Sequence, residues 1–85
     1  MNVGHETIRI AVQSRWDALD LVQRLVGFRT HLVQLSDRRW VVCVRQDRDL
    51  DELIADVLEH AGRWVTDRQI DSTFQLGDRS YALHP

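Results

Sequence analysis

Residues 7–13, Thr-Ile-Arg-Ile-Ala-Val-Gln, alternate strictly, with Ile8, Ile10 and Val12 on one side and Thr7, Arg9, Ala11 and Gln13 on the other. A two-residue period marks a strand buried on one face. The period then changes. Ser14 stands three residues ahead of Asp17 in the spacing of a capping box, and opens a helix over about 15–26. Trp16, Leu19, Val22 and Val26 form its apolar stripe, widened by Ala18, Leu21 and Leu25, and Gly27 offers a left-handed stop.

Segments 28–35 and 39–46 are rich in strand formers and are joined by the turn residues Ser36-Asp37-Arg38. Register decides what this hairpin buries, because a slip of one residue turns a whole strand face over. A three-residue loop sets Phe28, Thr30, Leu32 and Gln34 on the face of Trp40, Val42 and Val44. It leaves Arg29, His31, Val33 and Leu35 with Arg39, Val41, Cys43 and Arg45. A two- or four-residue loop would put Arg29 and His31 into the apolar face, where an unpaired charge is expensive. The three-residue register is therefore expected.

The second helix is capped by Asp49, with Glu52 completing the box and Asp51 and Glu52 suiting the positive end of the dipole. Leu50, Leu53, Ile54, Val57, Leu58 and Ala61 follow the spacing of one amphipathic face. Gly62 is a candidate stop, yet Trp64 and Val65 continue the stripe toward Asp67. Segments 70–76 and 79–84 read as short strands around Gly77-Asp78. The expected core centre is Leu53, Ile54, Val57 and Leu58 against Ile8, Ile10, Val12, Val42 and Val44.

The order β-α-β-β-α-β with an extra C-terminal strand predicts an α+β fold, a ferredoxin-like split βαβ sandwich, as a single domain over residues 1–85. Right-handed crossovers place both helices on one face of an antiparallel sheet and leave the other face bare. Arg9, Ala11, Gln13, Arg29, His31, Val33, Val41, Cys43 and Arg45 fall on that open face. In length and element order the chain resembles small regulatory domains, including the ACT-like amino-acid sensors. The residues after the first strand, Ser14-Arg15-Trp16-Asp17, differ from the glycine motif of that family.

With 85 residues and 10.0 kDa, the chain buries about 60–65% of its unfolded surface on folding, enough for one thin core and no enclosed reaction chamber. A net charge of −2 and a pI near 6.0 argue against nucleic acid and membrane surfaces as partners. The outward positions of the central strands carry no aromatic residue on which a base would stack. All eleven basic residues are arginine, which removes lysine Schiff-base chemistry; their scatter along the chain fits coding bias in the source genome. One cysteine forbids an internal disulfide and a Cys-rich metal site, so a reducing, cytoplasmic setting is expected. No apolar run approaches the roughly 20 residues of a membrane span, and residues 1–6 lack the features of a signal peptide.

His5, His31, His60, His84 and Cys43 show no metal-ligand spacing, and neither a metal nor a cofactor is expected. The acidic run Asp47, Asp49, Asp51 and Glu52 lacks the glycine and distal glutamate of a calcium loop and is explained by helix capping. Cys43 opposite His31 is the one candidate nucleophile pair; a small apolar cysteine explains it as well, and the chain offers no oxyanion hole. Trp16 and Trp40 fit core positions, whereas Trp64, past Gly62, either completes the small core, the favoured reading, or stands half covered as an interface anchor. The sequence thus points to a non-enzymatic protein-interaction or regulatory module. It is expected to pair as a homodimer, or with another protein, through the open face or an edge strand. The alternative is a small-anion or amino-acid-like ligand held by Arg9, Arg29 and Arg45.

Overall fold

A computed structural model describes residues 7–85; His5 and the rest of the first six residues lie outside it. The alternating segments become β1 (Thr7–Val12), β2 (Arg29–Ser36), β3 (Arg39–Arg45), β4 (Ser72–Leu76) and β5 (Arg79–Leu83). The amphipathic segments become α1 (Arg15–Arg24) and α2 (Leu50–Arg68). The strands form one antiparallel sheet in the order β2-β3-β1-β4-β5, so the architecture is α+β with two helices on a five-stranded sheet.

Both N-caps form as their sequences require. The Asp17 N–H donates to Ser14 Oγ at 3.1 Å, and the Glu52 N–H donates to Asp49 Oδ2 at 3.3 Å. α1 stops two residues earlier than expected, with Leu25 as its C-cap and Gly27 at φ +96°. α2 runs unbroken through Gly62 and ends at Gln69, which takes the left-handed conformation itself. Glycine costs a helix about 1 kcal/mol, whereas burying Trp64 and Val65 returns about 1.5–3 kcal/mol each, so the helix continues.

The hairpin reaches the expected faces by another route. Thr30 pairs with Val44, Leu32 with Val42 and Gln34 with Trp40, the parity of a three-residue loop. The turn itself holds only Asp37 and Arg38, because Ser36 pairs with Arg39 and the register shifts between Gln34 and Ser36. Leu35 is the extra residue of a bulge, and that bulge keeps Arg29 and His31 out of the core.

The core joins Ile8, Ile10, Val12, Val42, Val44 and Phe74 of the sheet to Leu53, Val57, Ala61, Trp64 and Val65 of α2 and Ala18, Leu21 and Leu25 of α1. Ile54 and Leu58 pack at its margin. Trp64 completes the core, the favoured of its two readings, and is not a half-covered anchor: it is fully buried, and its indole N–H donates to Asp20 Oδ2 at 3.1 Å. One expectation fails here. Trp16 does not join the core. It is 77% exposed, and Val26 is 83% exposed. The reason for both is the roll of α1. Asp17 and Asp20 pair with Arg68 at 2.6 and 2.8 Å, and Arg24 pairs with Asp67 at 2.6 Å. These contacts turn one ridge of α1 toward α2 and put Ala18, Leu21 and Leu25 on the sheet. Trp16, Leu19 and Val26 are carried outward.

The two tryptophans should therefore respond oppositely to truncation. Trp64→Ala should destabilise by about 3–5 kcal/mol in urea unfolding, as large aromatic truncations in cores do. Trp16→Ala should stay within about 0.5 kcal/mol of wild type at protein concentrations low enough to keep a monomer. A large loss for Trp16→Ala under those conditions would show that α1 is rolled the other way.

Candidate functional site

On the sheet face away from the helices, strand pairing stacks side chains into rows. His31, Cys43, Arg9 and Gln75 form one row across β2, β3, β1 and β4. Val33, Val41, Ala11 and Thr73 form the row on one side of it, and Arg29, Arg45 and Thr7 the row on the other. A cleft of about 340 Å³ opens between the first two rows and reaches Thr7 and the bulged Leu35. Cys43 is its floor and is 4% exposed. Arg9, His31 and Gln75 form its polar side, and Val33, Val41 and Leu35 its apolar side.

Charge is sorted between the two layers. No described strand contains an aspartate or a glutamate. The helix-side arginines Arg24, Arg48, Arg63 and Arg68 each hold a carboxylate, at distances of 2.6–3.4 Å. Among the described residues, no carboxylate lies within ion-pair distance of the strand residues Arg9, Arg29 or Arg45. Arg29 and Arg45 sit directly opposite each other, an arrangement of like charges that costs stability on a sheet. Asp47 offers partial relief: its carboxyl is held below its ordinary value chiefly by its hydrogen bond to Arg48 and in smaller part by Arg29.

The anticipated Cys43–His31 pair is in register. Burial nevertheless pushes the Cys43 thiol above its ordinary value, and the opposing pull of Arg9 is weaker. A protonated thiol is a poor nucleophile, so the pair does not supply an activated sulfur. Among the described residues, no three His, Cys, Asp or Glu side chains are placed to hold a metal ion.

The sequence candidates thus separate. Arg9, His31, Val33, Val41 and Cys43 line one cleft, with Cys43 as its floor rather than an exposed contact residue. Arg29 and Arg45 lie outside it, one row away. Ala11 borders a different, more polar hollow of about 520 Å³ beside Arg38, Arg39 and Ser72. Thr7 and Gln75 belong to the cleft and were missed as site residues. Gln75 was within reach, since it alternates with the apolar Phe74, but its neighbour on β1 follows only from the β1–β4 register.

A second surface lies at the β2 edge. α1 packs mainly over β3, with smaller contacts to β1 and β2 alike, and its ridge of Asp17, Asp20 and Arg24 faces α2. The opposite flank, with Leu19 and Val26, therefore overhangs the β2 side of the sheet and is exposed. Among the described residues, no helix is long and apolar enough to cross a membrane. Compared with known proteins, the chain matches no family model, no curated protein and no solved structure.

Cys43 carries a pH prediction. Its folded value is raised, so the stabilisation is fully present below the unfolded value of about 8.5 and is lost as pH rises through the folded one. Between about pH 8 and 10, urea unfolding should show wild type losing stability more steeply than Cys43→Ala. Parallel profiles would mean that the thiol titrates as it does in the open chain.

Proposed function

We propose that the chain is a non-enzymatic interaction module with a ferredoxin-like framework, which pairs with a second copy of itself through the β2 edge. Two split units, β1-α1-β2 and β3-α2-β4, interleaved in the order β2-β3-β1-β4, support that framework, with β5 added at the far edge. The single buried Cys43 suits a reducing, cytoplasmic setting.

The observation that carries the reading is the exposed apolar flank of α1 beside an open strand edge. β2 is eight residues long, contains no proline, and ends the sheet with unpaired backbone donors and acceptors. Soluble chains usually blunt or cover such an edge. A two-fold antiparallel pairing centred on Leu32 sets His31 against Val33 and Thr30 against Gln34, so no like charges meet across the axis. The same axis brings the Leu19 and Val26 flanks of two α1 helices together. Stacking two open faces is the poorer solution, because it crowds the unneutralised strand arginines of both copies.

Light scattering should give twice the 10.0 kDa chain mass at high micromolar concentration. Val26→Asp and Leu19→Glu should return the chain to a monomer with an unchanged helical circular-dichroism signal, since neither residue is part of the buried core. Val41→Asp, on the open face, should leave the dimer intact. A wild-type monomer would overturn the reading, and a dimer split only by Val41→Asp would move the interface to the open face.

A further inference from the structure

We propose that the open-face cleft binds a small aliphatic carboxylate that carries no amine, with its head on Arg9 and His31 and its chain along Val41, Val33 and Leu35. The edge pairing above leaves this face uncovered, so the site goes beyond that reading.

Three features set the ligand class. The head must be anionic. Arg9 has no carboxylate partner among the described residues, Arg45 stands diagonally beside it, and the strands supply no acid to neutralise either. A guanidinium takes a carboxylate through two parallel hydrogen bonds, and the Gln75 amide, directly across from Arg9, is a further donor. The body must be apolar, because Val33 and Leu35 are 37% and 62% exposed around the half-buried Val41, a wall that no other described residue covers. The ligand must also be small, since about 340 Å³ lies near the lower end of the roughly 300–1,000 Å³ usual for ligand sites.

Absence of an amine follows from the same inventory. An amino acid would bring an ammonium beside Arg9 and His31, and among the described residues the cleft lining contains no carboxylate to receive it. Desolvating that ammonium without a partner is costly. The floor agrees with an anion above it. Burial pushes the Cys43 thiol above its ordinary value, which favours the uncharged form under the head.

Octanoate is a suitable probe, with acetate (head without body) and leucine (head, body and amine) as comparisons. At about ten times its dissociation constant, octanoate should raise the melting midpoint of wild type by about 5–10 °C. Acetate and leucine at the same concentration should move it by less than about 1 °C on the same scale. The shift should vanish in Arg9→Gln and persist in Arg63→Gln, whose arginine is exposed on the helix side. Amide resonances of β1 and β3 should move on octanoate addition while those of α2 stay. Repeating the titration on monomeric Val26→Asp separates this result from the fate of edge pairing. No shift with octanoate, an equal shift with leucine or acetate, or an undiminished shift in Arg9→Gln would each overturn the proposal.

Discussion

Trp64 requires both a dry pocket and a hydrogen-bond acceptor, and the position of α1 is what satisfies the two together. The indole ring fills space that the sheet and α2 leave open, while its N–H needs a partner that the apolar core lacks. Asp20 provides it at 3.1 Å from one edge of α1. That carboxylate also takes Arg68, and Arg68 takes Asp17, so one indole and one guanidinium fasten two turns of α1 to the end of α2. A ten-residue helix is marginal alone in water, and α1 buries only Ala18, Leu21 and the adjoining Leu25 on the sheet. Its place therefore depends on the contact with α2 as much as on its own apolar face.

That fastening has consequences along β2. α1 is about half as long as α2 and passes into β2 through residues 25–28, where the Phe28 N–H donates to Leu25 O at 3.0 Å. There the core is finished by other means. Phe28 meets the His60 ring edge-on at 5.5 Å, and the Arg48 guanidinium lies 4.8 Å from the Phe28 ring centre. Arg48 is fixed in turn by Asp47 and Asp56. Further along β2, Leu32 packs against the core, while the outer edge of the strand stays open. The roll that gives Asp20 to Trp64 sends Leu19 and Val26 over the strand edge, so a core requirement and an exposed apolar flank have one cause.

This coupling also marks what the sequence could and could not disclose. Strand faces were legible because alternation leaves few choices: Ile8, Ile10 and Val12 can only share a side, and burying Arg29 or His31 is costly enough to select the hairpin parity. The bulge at Leu35 was not legible, since a two-residue turn with a bulge and a three-residue loop give the same faces. The roll of α1 was not legible either. Its two apolar stripes, Trp16-Leu19-Val26 and Ala18-Leu21-Leu25, are equally periodic, and the choice between them lies in ion pairs with residues more than forty positions away. At the candidate site, alternation identified the open-face residues. It could not separate Arg9, inside the cleft, from Arg29 and Arg45 outside it, because that distinction needs the register of β1 against both β3 and β4.

Net charge misleads about this surface for a related reason. The formal value of −2 is an average over two unlike layers. Around the helices, carboxylates meet Arg24, Arg48, Arg63 and Arg68 in local pairs and outnumber the arginines, so that layer is net acidic. The open face has no such pairs among the described residues, and Arg9, Arg29 and Arg45 make it locally cationic within a chain that is acidic overall. A nucleic acid would also seek cations, but it needs an extended basic track and aromatic platforms for its bases. Here the three arginines gather at one end of the face, and the neighbouring row is Val33, Val41 and Ala11. Local positive charge beside a short apolar wall selects for one anionic group attached to a small hydrophobic body. The proposed ligand rests on the geometry of the rows and not on the overall charge of the chain.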